Sequence, residues 1–129
     1  MKRLLLLLAA LLLALPAGAA KDEFHLYNWN NYLAPETVKR FEEACKCKVV
    51  QTYYSDNEEL LAKLAAGAKG YDMYVPTSNA VQALIKSGRL KPVDKGQLAN
   101  LKNIDPALLN TPFDRDNKYS IPYAMSTTI

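Results

Sequence analysis

The chain has 129 residues and a formal net charge of +3; half of its residues are hydrophobic and 22% are charged. Its lysines are scattered, so it lacks the basic stripe on which phosphate-backbone binding relies, and nucleic acid is excluded as an expected partner. The length allows one core, either a whole domain or a piece of a larger one.

Lys2 and Arg3 precede an unbroken apolar run from Leu4 to Leu15, followed by Pro16 and a cluster of small residues. That order predicts a cleavable export signal over residues 1–19, with Ala17-Gly18-Ala19 as the small-x-small pattern and cleavage after Ala19 or Ala20. The run is about a dozen residues, short of the roughly 20 that span a bilayer. Pro16 and the abrupt shift to Lys21-Asp22-Glu23 also weigh against the alternative, an uncleaved anchor. No cysteine stands near the cleavage region to carry a lipid. Cleavage leaves 14 Lys and Arg against 13 Asp and Glu, a net charge of +1.

Beyond the signal, short β-like runs alternate with amphipathic helical ones, the pattern of an α/β layer structure with a largely parallel sheet. The first strand is expected over Phe24–Asn28. It stops at the polar and aromatic loop Trp29-Asn30-Asn31-Tyr32, and Ala34-Pro35-Glu36 then suits a helix start. Val38, Phe41 and Ala44 recur at helical spacing and predict its buried stripe. Cys45 and Cys47 follow. In extended backbone a Cys-x-Cys pair does not reach good disulfide geometry, so the pair is read as unbridged, with a strained bridge as the alternative in an oxidising compartment.

Lys48–Tyr53, rich in β-branched and aromatic residues, predicts the second strand. Ser55-Asp56-Asn57-Glu58 predicts a capping box closed by Ser55 and Glu58, opening a helix through Leu60, Leu61 and Leu64 that Gly67 and Gly70 end. Tyr71–Val75 is the expected third strand, ended by Pro76, and a helix runs from about Ser78 to Gly88. Leu90–Asp94 reads as a short edge segment, Asp105–Leu109 as a brief helix, Thr111–Lys118 as a turn-rich loop and Tyr119–Tyr123 as extended chain. Right-handed crossovers place the helices on the sheet, and ligands in such sheets gather outside the carboxyl ends of the strands. Those ends are Trp29–Tyr32, Tyr54–Asn57 and Pro76–Asn79.

Leu26-Tyr27-Asn28-Trp29-Asn30-Asn31-Tyr32 resembles the Tyr-Asn-Trp-x-x-Tyr motif of bacterial spermidine- and putrescine-binding proteins. The likeness continues through Asn57-Glu58, Tyr71–Ser78, Lys91–Lys95, Asn103–Pro106 and Asp116–Tyr123, in order and at plausible spacing. It implies a fold of the type II periplasmic-binding-protein kind, with two α/β lobes around a ligand cleft and a hinge between them. On that reading residues 20–129 form most of the first lobe and approach the first hinge crossing near Pro122-Tyr123. The resemblance further implies a periplasmic, monomeric component of an ABC importer, holding putrescine or spermidine for a membrane permease.

A flexible chain of methylenes bearing ammonium groups needs aromatic walls, cation–π contact and carboxylates. Trp29 and Tyr32 supply aromatic faces. Asn30 and Asn31 supply amide oxygens, which accept from an ammonium without a full charge; the family commonly carries an acidic residue at the position of Asn31, so this departure leaves another amine, an amino-acid derivative or an opine as the alternative cargo. Thr77, Ser78 and Asn79 match the family's polar segment facing the cleft, although capping alone explains Ser78. Structural readings stand beside each of these: core packing for the two rings and turn formation for the asparagines.

Glu42, Glu43, Glu58 and Glu59 read as solvated helix faces, Asp72 as structural, and His25 as a sheet residue. No cofactor or metal is expected, since His25 is the only histidine and no ligand cluster completes a site. Nor is an enzyme expected: there is no Gly-rich phosphate loop, no Gly-x-Ser-x-Gly elbow and no nucleophile beside a base.

Overall fold

Three parallel strands in the order β2-β1-β3 form the sheet. A computed structural model describes residues 22–123; the expected export signal, its cleavage at Ala19 or Ala20, and the final Thr127-Thr128-Ile129 lie outside the described residues. Strand β1 (Glu23–Trp29) is central. It pairs along its whole length with β2 (Lys48–Tyr54), from Glu23 opposite Lys48 to Trp29 opposite Tyr54. Parallel neighbours need a crossover, and helix α1 (Pro35–Cys45) supplies it. Helix α2 (Asn57–Ala65) carries the chain from β2 back across to β3 (Met73–Tyr74), and α3 (Ser78–Lys86) follows.

Only two residues of β3 pair formally, fewer than the expected Tyr71–Val75. Hydrogen bonds continue beyond both ends, from Asp72 N to His25 O (2.9 Å) and from Val75 N to Tyr27 O (3.1 Å). The Asp72 carboxylate accepts from His25 N at 2.7 Å, which is the structural role expected of it. His25 itself is half-exposed, with Nε2 3.2 Å from Glu23 Oε2.

Being central, β1 is buried on both faces, as a parallel strand between helical layers should be. On one face Tyr27 packs with Tyr54, with Leu60 and Leu64 of α2 and with Leu84 of α3; Trp29, Tyr71 and Tyr74 flank this core. On the other, Phe24 meets Phe41 of α1 edge-to-face, with ring centroids 5.1 Å apart. Helix α1 sits loosely, with no fully buried residue and Phe41 still 43% exposed, so the expected stripe is only half covered. Its hold on the sheet is partly polar. Glu42, expected to be solvated, instead accepts from Val49 N (2.9 Å) and pairs with Lys48 Nζ (2.8 Å), covering an outward N–H of edge strand β2.

The cysteines also depart from expectation: Cys45 and Cys47 form a disulfide. The reason is backbone conformation. Cys45 ends α1, and Lys46 turns into the left-handed region (φ 56°), which brings the two Cα atoms to 5.2 Å instead of leaving them on an extended chain. A lysine in that region is disfavoured by roughly 1–2 kcal/mol, and the bridge holds the turn in place.

The capping box of α2 is displaced by one residue from the predicted one. Asp56 is the N-cap, accepting from Glu59 N at 2.7 Å, and Glu59 Oε2 accepts from Ser55 N at 2.8 Å. Gly67 ends the helix at φ 93°, as expected of it. Past α3 the chain makes short 3-10 turns at Lys95–Gln97, Ala99–Asn103, Pro106–Leu108 and Arg115–Asn117. Leu90–Asp94 and Tyr119–Tyr123 pair with no strand; a bond from Val93 N to Lys118 O (2.8 Å) ties the first of them to the end of the turn-rich loop that precedes the second. Asp114, buried in the turn-rich loop, collects the amides of Lys118, Tyr119 and Ser120.

Candidate functional site

All three strands deliver an aromatic or a carbonyl to the same end of the sheet. Trp29 closes β1 and Tyr54 closes β2, directly opposite each other in register. Val75 follows β3, and its carbonyl oxygen accepts from both Trp29 Nε1 (2.7 Å) and the Tyr54 hydroxyl. One oxygen thus orients two rings, whose centroids stand 4.7 Å apart. Tyr32 stacks on the indole from the following loop, 5.8 Å away with the planes inclined by 27°. Behind it, the Tyr123 hydroxyl donates to Tyr32 O at 2.8 Å. Asn28, just before Trp29 in β1, is almost fully buried, with Oδ1 accepting from Trp29 N at 2.8 Å.

These rings wall a groove of about 420 Å³ lined by Trp29, Asn30, Tyr32, Tyr53, Tyr54, Ser55 and Glu59. Of the residues singled out by sequence, Trp29, Asn30 and Tyr32 therefore share one groove. Asn31 does not line it; at φ 60° it makes the left-handed turn that brings Tyr32 back over the indole, which is the turn-forming reading. Thr77 and Ser78 line a second, larger groove of about 1210 Å³ along the outer side of β3, shared with Tyr123. Thr77, rather than Ser78, is the N-cap of α3, and its side chain makes no capping bond; its amide donates to Asn57 Oδ1 at 3.2 Å. Asn79 is exposed and lines neither groove. Tyr54 was placed by sequence only within the strand-end segment Tyr54–Asn57, Glu59 was read as a solvated helix face yet lines the groove, and Tyr53 and Tyr123 were not proposed as site residues. The alternation of β2 placed Tyr54 on the face of Tyr27 and Trp29, and that was the available signal.

Burial pushes the Tyr54 phenol well above its ordinary pKa, with Tyr32 and Tyr27 adding smaller pushes. The hydroxyl therefore stays protonated and keeps donating to Val75. The folded protein holds this proton where the unfolded chain, with an ordinary value of 10.0, releases it, so stability present below pH ~10 is lost as pH rises further. Tyr74, raised chiefly by burial, acts in the same window. Thermal unfolding followed from pH 8 to 11 should show a falling midpoint above pH ~10, and a shallower fall for Tyr54→Phe.

The same fold face already holds an ammonium on aromatic rings. Lys63 Nζ lies 4.8 Å from the Tyr27 centroid and 5.9 Å from that of Tyr71, and a hydrogen bond with Tyr71 leads the causes that raise its pKa. Among the described residues no group of three or more His, Cys, Asp or Glu is placed to hold a metal ion.

A family model of bacterial extracellular solute-binding proteins matches residues 36–129. The chain belongs to that family. Among similar members, the putrescine/cadaverine-binding protein of Pseudomonas aeruginosa is 50% identical over 129 residues, which is all of this chain and 36% of that protein. The spermidine/putrescine-binding periplasmic protein of Escherichia coli is 39% identical over 98% of this chain and 37% of its own length. Of solved structures, the spermidine/putrescine ABC transporter substrate-binding protein of Streptococcus pneumoniae aligns with a TM-score of 0.75 and 31% identity, over 80% of this chain and 32% of that one. The TpPotD lipoprotein of Treponema pallidum aligns with a TM-score of 0.74 and 33% identity, over 80% and 33%. The chain spans about a third of the length of the curated relatives it matches.

Proposed function

We propose that this solute-binding segment is one lobe of a longer, two-lobed periplasmic protein that captures putrescine, spermidine or a close relative between its lobes and presents it to the permease of an ABC importer. The observation that carries the reading is the ring cluster held on the Val75 oxygen, where Trp29 and Tyr32 stack beside Tyr54 at the carboxyl ends of parallel strands. Such faces suit the two needs of an aliphatic polycation. Its methylenes gain from leaving water against apolar ring surface, and each ammonium gains about 0.5–2 kcal/mol over an aromatic face.

The relatives named for polyamine binding, together with the coverage of about a third of their length, support both the cargo and the two-lobe arrangement. Asn30 is read as a polar contact at the mouth of the groove, and Thr77, Ser78 and Asn79 as positions that meet the ligand or the second lobe only when the cleft closes. A lone lobe offers half the contacts, so its own affinity is expected to be weak.

Titration calorimetry of the full-length protein tests the reading. Putrescine, cadaverine and spermidine should include at least one saturating ligand, and thermal unfolding in a hundredfold excess over Kd should be stabilised by about 2.7 kcal/mol. The absence of heat and of stabilisation with every amine would overturn it.

A further inference from the structure

We propose that Glu59 is the carboxylate with which this lobe binds a primary ammonium group, and so is a specificity-determining residue of the groove. The inference rests on the amine-binding reading above. Among the seven residues that line the aromatic groove, Glu59 is the sole bearer of a negative charge. Its neighbours Trp29, Tyr32 and Tyr54 offer ring faces, and Asn30 offers an amide oxygen with no net charge.

The α2 terminus favours a carboxylate facing the groove. Unpaired N–H groups give a helix start a positive potential that repels cations, and α2 begins directly beside the groove, just after Ser55. Asp56 at the N-cap and Glu58 and Glu59 in the first turn offset that potential together, and of the three Glu59 is the one that lines the groove. It is also held in place before any ligand arrives. Its amide donates to Asp56 Oδ1 at 2.7 Å and its Oε2 accepts from Ser55 N at 2.8 Å, which leaves Oε1 with no protein partner among the described residues. A side chain tethered this way loses little further freedom on binding, which favours affinity. Glu58, one position earlier on the same turn, is exposed and does not line the groove.

A primary ammonium carries three donors on a compact charge, so one can meet Oε1 while the adjoining methylenes lie on the Trp29 and Tyr32 faces. A fully methylated nitrogen keeps its cation–π attraction but donates nothing to the carboxylate. The groove should therefore discriminate against it.

The test is calorimetry of the full-length protein with putrescine, comparing wild type, Glu59→Gln and Glu58→Gln. Glutamine at 59 can still accept from Ser55 N, so the unliganded unfolding midpoint should be kept. Glu59→Gln is expected to weaken putrescine about tenfold or more, as loss of a charge-assisted bond should, while Glu58→Gln stays within about twofold because it removes the same charge without touching the groove. If wild type binds putrescine and Glu59→Gln matches it, or if both variants weaken it equally, the assignment of Glu59 is wrong. If wild type binds no amine at all, it is the underlying reading that fails.

Discussion

Replacing Trp29 and Tyr32 together by alanine in the full-length protein is expected to weaken amine binding by about a hundredfold or more. Each ring is worth up to about 2 kcal/mol to a desolvated cation, and two of them approach the three or so kcal/mol that separate such affinities. Trp29 does more than present a face. Its indole N–H is bonded to Val75 O and its ring packs on Tyr54, so Trp29→Phe separates the two contributions. Phenylalanine keeps an apolar face but gives up the N–H, and should bind at an intermediate level. Calorimetry paired with far-ultraviolet circular dichroism checks both variants, and unchanged affinity in a folded double variant would remove the groove from the binding surface.

Asp114→Ala should cost about 3 kcal/mol of stability, the largest effect expected from any single polar substitution in the described chain. The residue is 3% exposed, and its carboxylate takes amide bonds from Lys118 (3.0 Å), Tyr119 (3.1 Å) and Ser120 (2.8 Å) as well as the Ser120 hydroxyl (2.6 Å). Hydrogen bonds to a charged acceptor are worth about 1.5–3 kcal/mol each, and donors left without a partner carry a desolvation penalty of similar size. Not all of this appears in global unfolding, because water can enter a loop that opens. Hydrogen exchange is therefore the sharper measurement: the amides of residues 118–120 should lose protection first. Asp114→Asn, with one acceptor oxygen instead of two, should fall between. Equal protection in wild type and the alanine variant would show that the loop is held by something else.

Much of the sheet and its helices is legible in the sequence because burial on a parallel sheet imposes simple patterns. β1, β2 and α3 follow from apolar runs bounded by turn residues, and the loop Trp29–Tyr32 stands out because a tryptophan among asparagines has no obvious core to enter. What is not legible depends on single backbone angles or on contacts distant in sequence. Nothing in Cys45-Lys46-Cys47 announces that Lys46 adopts φ 56°, and that one angle separates a bridge from two thiols. Ser55 and Asp56 are both good N-caps, so the box settled one residue away from the reading, and the shift carried Glu59 rather than Glu58 to the groove. Asp114 is not singled out in the sequence, because its partners are turn amides, which every sequence contains. The stripe on α1 was read correctly as apolar but not as half-covered, since coverage depends on what lies opposite.

Trp29 and Tyr54 both spend their polar hydrogen on the oxygen of Val75. The aim of the indole is therefore fixed by the meeting of three strands and owes little to the asparagine turn beside it. Position 30 is in consequence free to drift, and exchanging it should retune the groove while the indole and the Tyr54 ring keep their pose; position 31 is not, because its left-handed φ of 60° sets where Tyr32 lies.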